Sequence, residues 1–317
     1  MKRRDFLKKT GKAATLAAVT GGAFWAFDGR QVHRYETASK IATAFEVPPD
    51  PTLPSLVMAR NEDHVQAMKA SLDAIGGIKR FVKPGERVTI KPNVGWDRSP
   101  EQAADTNPLL VGAMAALCFE AGAKRVVVTD VTCNDARRCF LRSGIREAAE
   151  KAGAEVLLEA EEDFITADLG GEMLTSWPVL KHFVETDRLI NIPVVKHHSL
   201  SSCTIAMKNL YGIIGGMRHQ LHQDIDQSIV DLAAFSKPTL TVVDATRVLL
   251  RGGPQGGSLD DVAIKNSVIC ATDQVAADSR ACEFLGLEGD KVGHIALAGK
   301  SGLGTVDYNA AGFKELG

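Results

Sequence analysis

Short apolar runs alternate with helical periodicity along most of this chain, and that alternation limits the folds it can adopt. Runs of apolar, often β-branched residues predict strands at 56–59, 88–90, 125–129, 156–158, 187–192, 239–243 and 267–271. Apolar residues three or four positions apart predict helices at 63–75, 108–121, 145–152, 203–210, 225–235 and 274–285. Strands that are apolar throughout are typical of parallel sheets covered by helices. We therefore predict an α/β fold, with a mostly parallel sheet and helices on both faces.

Polar side chains follow several of these strands at the point where each strand ends. In sheets of this kind, ligands bind beyond the carboxyl ends of the strands. Four strand ends carry groups able to bind a ligand: Lys91 and Asn93, Asp130, Lys196 and His198, and Asp244. The sequence therefore predicts one site along this edge of the sheet.

The segment from Lys196 to Gly212 holds the densest set of reactive side chains. Lys196 and Lys208, with backbone donors at a helix start, suit an anion such as phosphate or carboxylate. The alternative is a surface loop with solvated lysines, but Lys208 falls within an apolar helix, where a solvated lysine is unusual. We predict ligand contacts from Thr204 and Asn209, and catalytic roles for His198, Lys208 and Asp244.

Two histidines one helical turn apart suggest a metal site. His219 and His222 are spaced i, i+3, and two imidazoles so placed can share one metal ion, with His198 as a third ligand. The alternatives are exposed histidines on a polar helix start, a general acid or base, or an anion donor.

A glycine-rich loop at 251–257 follows the strand that carries Asp244. Glycines let backbone amides approach a ligand closely, so Gly253 and Gly257 are predicted to contact it, with a plain mobile loop as the alternative. Asp273 is predicted to cap the next helix rather than to act in catalysis. Asp278, one turn further on, is predicted to contact the ligand, with a favourable interaction with the helix dipole as the alternative.

The first 54 residues differ in composition from the rest. The adjacent Arg3 and Arg4, followed by Phe6, Leu7 and a mildly apolar stretch, predict a twin-arginine export signal over 1–30, with an ordinary basic N-terminus or a Sec signal as alternatives. A proline-rich linker follows over 31–54, and an α/β domain over 55–317. The expected location is the periplasm, reached through the twin-arginine translocation machinery. No small-x-small cleavage site is clear, so retention at the membrane by an uncleaved signal stays an alternative.

Composition excludes several classes of function. A net charge of −2 favours neither nucleic acid nor an anionic membrane as a partner. The six cysteines contain no CxxC, so this chain lacks an iron–sulfur cysteine motif and a zinc ribbon. Cys133 and Cys139 are close enough in sequence to pair, with free thiols as the default.

The chain resembles the family called domain of unknown function 362. The matching segments lie in the family's order between 56 and 286: Ile90-Lys91-Pro92-Asn93, Lys196-x-His198, Thr204-x-x-x-Lys208-Asn209-Leu210-Tyr211-Gly212, Asp244 with Gly253-Pro254-x-x-Gly257, and Asp273-x-x-Ala276-Ala277-Asp278 with Leu285-Gly286. The resemblance implies an α/β protein. Some members are fused to ferredoxin-like cluster modules, which this chain lacks, and no general reaction is implied.

These observations predict an exported protein that acts on a small anionic ligand with the help of a metal or cofactor, in a redox-related role beside a periplasmic redox partner. The alternative is a non-catalytic protein that binds a ligand or delivers a cofactor to a periplasmic redox complex. The identity of the cofactor stays open.

Overall fold

The computed structural model describes residues 45–317, so the predicted signal and most of the linker lie outside the described residues. The strands are β1 Leu56–Arg60, β2 Arg87–Pro92, β3 Arg125–Val128, β4 Glu155–Val156, β5 Phe164–Asp168, β6 Ser176–Leu180, β7 Arg188–Ile192, β8 Val194–His198, β9 Ser202–Thr204, β10 Leu240–Leu249, β11 Val262–Ala271 and β12 Phe313–Leu316.

The α-helices in the same part of the chain are α1 His64–Ala74, α2 Ile78–Phe81, α3 Pro108–Glu120, α4 Ala136–Arg142, α5 Ile145–Lys151, α6 Ala206–Asn209, α7 Ile225–Phe235, α8 Gln274–Cys282 and α9 Gly293–Lys300. Short 3₁₀ helices connect them at Pro100–Gln102, Glu161–Asp163, Lys181–Phe183, Leu210–Ile213, Arg218–Asp224, Leu259–Asp261, Glu283–Leu285 and Gly289–Lys291. None of the helices among residues 45–317 has both the length and the apolar character that a membrane crossing requires.

One large, mostly parallel sheet organises the fold. Its strand order is β12-β1-β11-β10-β7-β2-β3-β4, and β8 and β9 branch from β10. The pairs from β10 through β7, β2 and β3 to β4 are all parallel, whereas β11 runs antiparallel to both β10 and β1. The predicted α/β class with a mostly parallel sheet is confirmed.

Two hydrophobic cores lie on opposite faces of this sheet. In β10, Val242 packs into the core that contains α1, α3 and α5, whereas Val243 packs into the core with α7, α8 and α9. Successive side chains of a strand point to opposite faces, so a strand buried on both faces is apolar throughout. This is the physical reason for the continuous apolar runs in the sequence, and it confirms helices on both faces.

A bend between β7 and β8 brings β8 to the site. β7 pairs with β10 at Leu240 and Thr241, and after Pro193 the chain continues as β8, which pairs with β10 further along. β8 then forms an antiparallel hairpin with β9, in which Lys196 lies opposite Thr204. The bend carries the end of β8 to the edge where β2 and β3 also end.

Several elements differ from the sequence prediction. The helix predicted at 203–210 is divided between β9 and α6, because Ser202–Thr204 pairs with β8. The strand predicted at 239–243 extends to Leu249. The β5–β6 hairpin was missed altogether.

Candidate functional site

A cavity of about 380 Å³ lies where β2, β3 and β8 end. Parallel neighbours expose their carboxyl ends at the same edge of a sheet, which is where such folds place their ligands. Ten of the residues predicted for the site line this cavity: Lys91, Asn93, Asp130, Lys196, His198, Thr204, Lys208, Asn209, His219 and His222. The structure therefore brings together side chains from five separate stretches of sequence.

A buried ion pair forms the floor of the cavity. The Lys91 ammonium lies 2.6 Å from Asp130 Oδ1, and both side chains are almost completely buried. Burial lowers the pKa of Lys91 and raises the pKa of Asp130, because each charge loses its water, and the ion pair opposes both shifts. The other carboxylate oxygen of Asp130 accepts from the backbone amide of Val94. Asp130 therefore fixes Lys91 and the start of the loop after β2.

Two asparagine side chains connect this pair to a second lysine. Asn209 Oδ1 accepts from Lys91 Nζ at 3.2 Å and from Asn93 Nδ2 at 2.8 Å. Asn93 Oδ1 in turn accepts from Lys196 Nζ at 2.9 Å. A continuous network of this kind holds its members in one arrangement. Asn93 and Asn209, which the sequence predicts to contact the ligand, therefore also position Lys91 and Lys196.

Lys196 also faces a buried acid that sequence reasoning missed. Its ammonium donates to the carbonyl of Ala104, and burial lowers its pKa to about 8 against the opposing charge of Asp105. Burial likewise raises the pKa of Asp105 to about 8. One carboxylate oxygen of Asp105 accepts from the Trp96 amide, and the other is buried with no hydrogen-bond partner in the described chain.

Lys208 is the lysine of the cavity whose ammonium has no partner among the described residues. Only 7% of the residue is exposed, and within residues 45–317 its ammonium has no hydrogen-bond acceptor and no carboxylate partner. Its Nζ lies 3.4 Å from the centre of the Tyr211 ring, a cation–π contact. Burial lowers the pKa of Lys208 to about 7; Cys133 opposes this shift, and the nearby charges of Arg218 and Lys196 add to it.

His198 is held as a neutral ring in one tautomer. Its Nδ1 accepts from the backbone amides of Leu200 and Ser201 at 3.1 and 3.3 Å. An accepting Nδ1 places the proton on Nε2, which is left to donate to a ligand in the cavity. Burial, followed by the charge of Lys208, lowers the pKa of His198 to about 3. The ring therefore acts as a hydrogen-bond donor at neutral pH and does not gain a proton.

The three histidines line one cavity but do not form a metal-binding group. Among residues 45–317, no group of three or more histidine, cysteine, aspartate or glutamate side chains is arranged to hold a metal ion. His198 has committed Nδ1 to backbone amides, and the exposed ring of His222 stacks on Tyr211 with centroids 6.4 Å apart. Burial lowers the pKa of His222, with smaller contributions from Lys208 and His219. Their metal role stays a prediction, and the geometry favours hydrogen bonding to an anion.

Asp244 and Asp278 lie outside the cavity and position its elements. Asp244 falls inside β10, where its carboxylate accepts from the amides of Asn107 and Thr246. Asp278 accepts from the amides of Ala206 and Met207, at the start of the helix that carries Lys208. Both carboxylates are buried and engaged with the backbone, so direct contact with a ligand, as predicted from sequence, does not fit their placement.

The predicted glycine contacts lie behind the cavity wall. A Cβ on Gly253 would meet the carbonyl oxygen of His197 at 1.8 Å, so this glycine permits the loop to pack directly on β8. Its neighbour Pro254 reaches the cavity. Gly257 accepts a hydrogen bond from Gln102 and does not line the cavity. Asp273 caps α8 by accepting from Val275 and Ala276, and its predicted capping role is confirmed.

Sequence reasoning missed several residues of the wall. Arg218 enters the cavity from a 3₁₀ helix and donates to the carbonyls of Val131 and Thr132. Gly212 is required beneath the ion pair, because a Cβ there would lie 1.8 Å from Asp130 Oδ1. The motif Lys208-Asn209-Leu210-Tyr211-Gly212 contained a signal for this glycine, whereas no periodicity marks Arg218.

Comparison with known proteins places the chain in a family. The family model described as a domain of unknown function, DUF362, matches residues 88–283, which include all the residues that line the cavity in the described part of the chain. The chain belongs to the DUF362 family. A thylakoid-associated protein of Synechocystis sp. is 28% identical over 251 residues, which cover 75% of this chain and 74% of that relative.

Two solved structures show a weaker likeness to this DUF362 member. They are a protein from Thermotoga maritima and the lactate racemase apoprotein from Thermoanaerobacterium thermosaccharolyticum, each 12% identical with a TM-score of 0.42. The matches cover 70% and 78% of this chain, and 59% and 62% of those structures, so the chain spans about three fifths of their length. A likeness at this level carries no information on function.

The cysteines of this DUF362 member do not form an iron–sulfur site. Five of the six thiols are buried, and Cys133, which is exposed, is the one that lines the cavity. A cluster requires about four cysteine ligands converging on one point. Within residues 45–317 no such group is present, and Cys133 and Cys139 are free thiols.

Proposed function

We propose that this protein binds a small organic anion, a carboxylate or a phosphate, in the cavity at the ends of β2, β3 and β8. The observation that carries the proposal is Lys208, a buried ammonium in the cavity wall that has no acceptor among the described residues. A buried charge without a partner is costly, so an anion that supplies the partner is bound favourably.

The balance of charge in the wall supports the same conclusion. Lys91, Lys196, Lys208 and Arg218 line the cavity, and Asp130 is the carboxylate in the described part of the wall. Asp130 is already paired with Lys91, and Asp105, which does not line the cavity, opposes the charge of Lys196. Lys208 and Arg218 therefore have no carboxylate partner among the described residues. A cavity lined by one sign of charge and closed by apolar walls concentrates ligands of the opposite sign.

Neutral donors complete the environment that an anion needs. The fixed tautomer of His198 directs an Nε2–H donor at a ligand, and Thr204 contributes a hydroxyl-bearing residue to the same wall. Trp96 and Leu200 add apolar surface. This mixture suits a ligand with an anionic group and a short carbon skeleton.

Calorimetry with phosphate, propionate and pyruvate tests this function. In Lys208→Met the ammonium is lost, and we expect the affinity for the ligand that binds best to fall by about 10- to 100-fold, the value of one charge-assisted hydrogen bond. The matched control is Lys124→Met, which removes an exposed lysine at the amino end of β3, at the opposite edge of the sheet. Equal affinity in Lys208→Met, or no binding by the unmodified protein, would contradict the proposal.

We also propose that the chain is exported to the periplasm by the twin-arginine route. The support is the Arg3–Arg4 pair with Phe6 and Leu7, in residues that lie outside the described part of the chain. Conversion of both arginines to lysine should abolish export of a folded reporter fused to residues 1–54, while a Sec-dependent signal would tolerate the change. The metal, the redox role and the redox partner stay predictions, because no contact in the described residues supports them.

A further inference from the structure

The three lysines of the cavity differ in what holds them. Lys91 donates to Asp130, Asn209 and the carbonyl of Pro92, and Lys196 donates to Asn93 and a backbone carbonyl. Lys208 makes no hydrogen bond within residues 45–317. Two of the three amines are thus fixed as structural ammonium groups, and the third is left free to react.

The surroundings of Lys208 favour its neutral form. Burial is the largest influence, and the charges of Arg218, Lys196 and Lys91 also repel an additional proton, whereas Cys133 and the cation–π contact with Tyr211 oppose the loss of the proton. Its pKa of about 7 leaves about half of the amines unprotonated at neutral pH. A desolvated lysine beside other cations is the arrangement that activates this side chain as a nucleophile towards carbonyl groups.

We propose that Lys208 Nζ forms an imine with the carbonyl carbon of a 2-oxo carboxylate bound in the cavity, an inference that rests on the anion-binding function proposed above. The carboxylate of such a ligand compensates the positive charge of Arg218 and Lys196. The carbonyl group of the ligand then lies near Lys208 Nζ, the one lysine amine of the described wall that makes no hydrogen bond. The proposal narrows the ligand from any small anion to one that carries a reactive carbonyl beside its carboxylate.

The step balances with no oxidant or reductant. The lone pair of Nζ attacks the carbonyl carbon, the carbonyl oxygen takes a proton and becomes the hydroxyl of a carbinolamine, and the nitrogen loses a proton. The hydroxyl then takes up a proton and leaves as water, the C=N bond forms, and the nitrogen loses its remaining proton to give the neutral imine. The net change is one amine and one carbonyl converted to one imine and one water.

Two histidines serve this step in different ways. His198, with its pKa lowered to about 3, offers its Nε2–H as a hydrogen bond to the carbonyl oxygen without transferring a proton at neutral pH. The ring of His222 lines the same cavity as Lys208 and is exposed to solvent. Burial, with a smaller contribution from Lys208, lowers its pKa. We assign to His222 the exchange of protons with the departing hydroxyl.

Reductive trapping with pyruvate tests the inference. The full chain is incubated with pyruvate and cyanoborohydride at pH 7, and intact mass and peptide mapping follow. We expect a gain of the mass of one pyruvate less one oxygen atom, located on Lys208. Surface lysines with ordinary pKa values hold on the order of a thousandfold less free amine at this pH. Lys208→Arg, which keeps a cation but cannot form this imine, should lose the label at this position.

Propionate separates the two proposals, since it has the carboxylate and the length of pyruvate but no carbonyl. If calorimetry detects propionate binding and pyruvate leaves no label on Lys208, the imine is wrong and the anion site stands. Label spread evenly over surface lysines would likewise contradict the imine and leave the anion site standing. If neither propionate nor pyruvate binds and no label appears, the inference fails together with the carboxylate site. Because the mapping is done on the unmodified protein, the result does not depend on how any variant folds.

Discussion

At the scale of single residues, the floor of the cavity leaves no room for additional atoms beside the Lys91–Asp130 pair. A Cβ at Gly212 would lie 1.8 Å from Asp130 Oδ1 and 2.7 Å from Lys91 Nζ. These atoms belong to a buried pair that cannot separate without leaving charges unpaired. The glycine is therefore required by packing, although nothing about its own backbone conformation demands it.

Gly212→Ala should destabilise the protein by about 3 kcal/mol, the combined effect of overpacking and of disturbing a buried ion pair. Urea denaturation measures the change. Gly95→Ala is the matched control in the same wall, since its Cβ would lie 3.8 Å from Cys133 Sγ, an ordinary contact. Equal stability of the two variants would show that the Lys91–Asp130 pair is not packed as described.

The pKa of Lys208 gives anion binding a defined pH dependence. Below pH 7 the free protein already holds the proton that the bound anion favours, and above pH 7 binding must take that proton up. Affinity should therefore fall by about tenfold per pH unit above 7, with Lys196 adding a further decrease near its pKa of about 8. Calorimetry of propionate or phosphate between pH 6 and 9 measures this. If the affinity of Lys208→Met depends on pH as steeply as that of the unmodified protein, the proton taken up on binding belongs to another group.

At the scale of elements, the helix that carries Lys208 depends on a neighbour. α6 is only four residues long, too short to be stable by itself, and Asp278 of α8 accepts from its first two amides. The carboxylate performs for α6 the role that a capping side chain usually performs within its own helix. The position of Lys208 in the wall is thus set by a residue 70 positions further along the chain.

Asp278→Asn should reduce both stability and anion affinity, because one amide oxygen replaces two acceptors and an NH₂ group faces a backbone donor. We expect a loss of about 2 kcal/mol in the free energy of unfolding. Asp273→Asn, which weakens the cap of α8, should cost stability while leaving anion binding nearly unchanged. Loss of binding in both variants to the same extent would remove the specific role of Asp278.

Asp278 also predicts a pH effect on stability. Burial raises its pKa to about 7 in the folded protein, above the ordinary value of 3.8. The folded state therefore binds a proton on Asp278 more tightly than the unfolded state does. The stability gained from this proton is complete below pH 4 and is lost as the pH rises towards 7. The difference in unfolding free energy between the unmodified protein and Asp278→Asn should narrow as the pH rises through this range. A constant difference would contradict the raised pKa.

The strands that are apolar throughout can be predicted from the sequence. A strand that forms because it pairs with a neighbouring strand cannot. Lys91, Asp130 and Lys196 could be assigned to one edge because continuous apolar strands precede them. β9 is a tripeptide, Ser202–Thr204, too short to show an alternating pattern, and it is extended where β8 pairs with it. Its residues contain no signal for that partner, so a helix was predicted there instead.

The same limit applies to single site residues. Asp244 was placed at a strand end, but β10 continues to Leu249, and the carboxylate is consumed by Asn107 and Thr246. Arg218 lies in a 3₁₀ helix, whose three residues per turn do not produce the 3.6-residue apolar pattern that marks one face of an α-helix. The sequence shows which residues are able to bind an anion, and only the fold shows which are already occupied.

At the scale of the whole molecule, the two cores bury five of the six thiols away from the cavity. Cys118, Cys139 and Cys270 lie in the core on one face of the sheet, and Cys203 and Cys282 lie in the other. Cys133 is the exposed thiol, and it lines the cavity. The native molecule should therefore react with maleimide at Cys133 long before any of the other five.

Mass spectrometry of briefly labelled protein checks this prediction. One label per molecule on Cys133 is expected under native conditions and six after denaturation. A bound anion should slow the native reaction, because it occupies the cavity that the thiol faces. Rapid labelling of a second cysteine would show that one of the cores opens more readily than the packing implies.

The packing of residue 45 bears on where the folded domain begins. Phe45, inside the predicted linker of 31–54, is buried in one of the two cores, and its amide donates to the carbonyl of Lys237. The packed part of the chain therefore starts earlier than the predicted boundary at 55. We propose that a truncation for structural work should retain residue 45.

The central claim is that the cavity holds an anion against Lys208, and anomalous diffraction from crystals soaked in selenate tests it most directly. We expect a selenium peak inside the cavity, with a selenate oxygen at about 3 Å from Lys208 Nζ, and no such peak in Lys208→Met crystals. A cavity that stays free of selenium while surface sites fill, or an identical peak in the variant, would contradict the account.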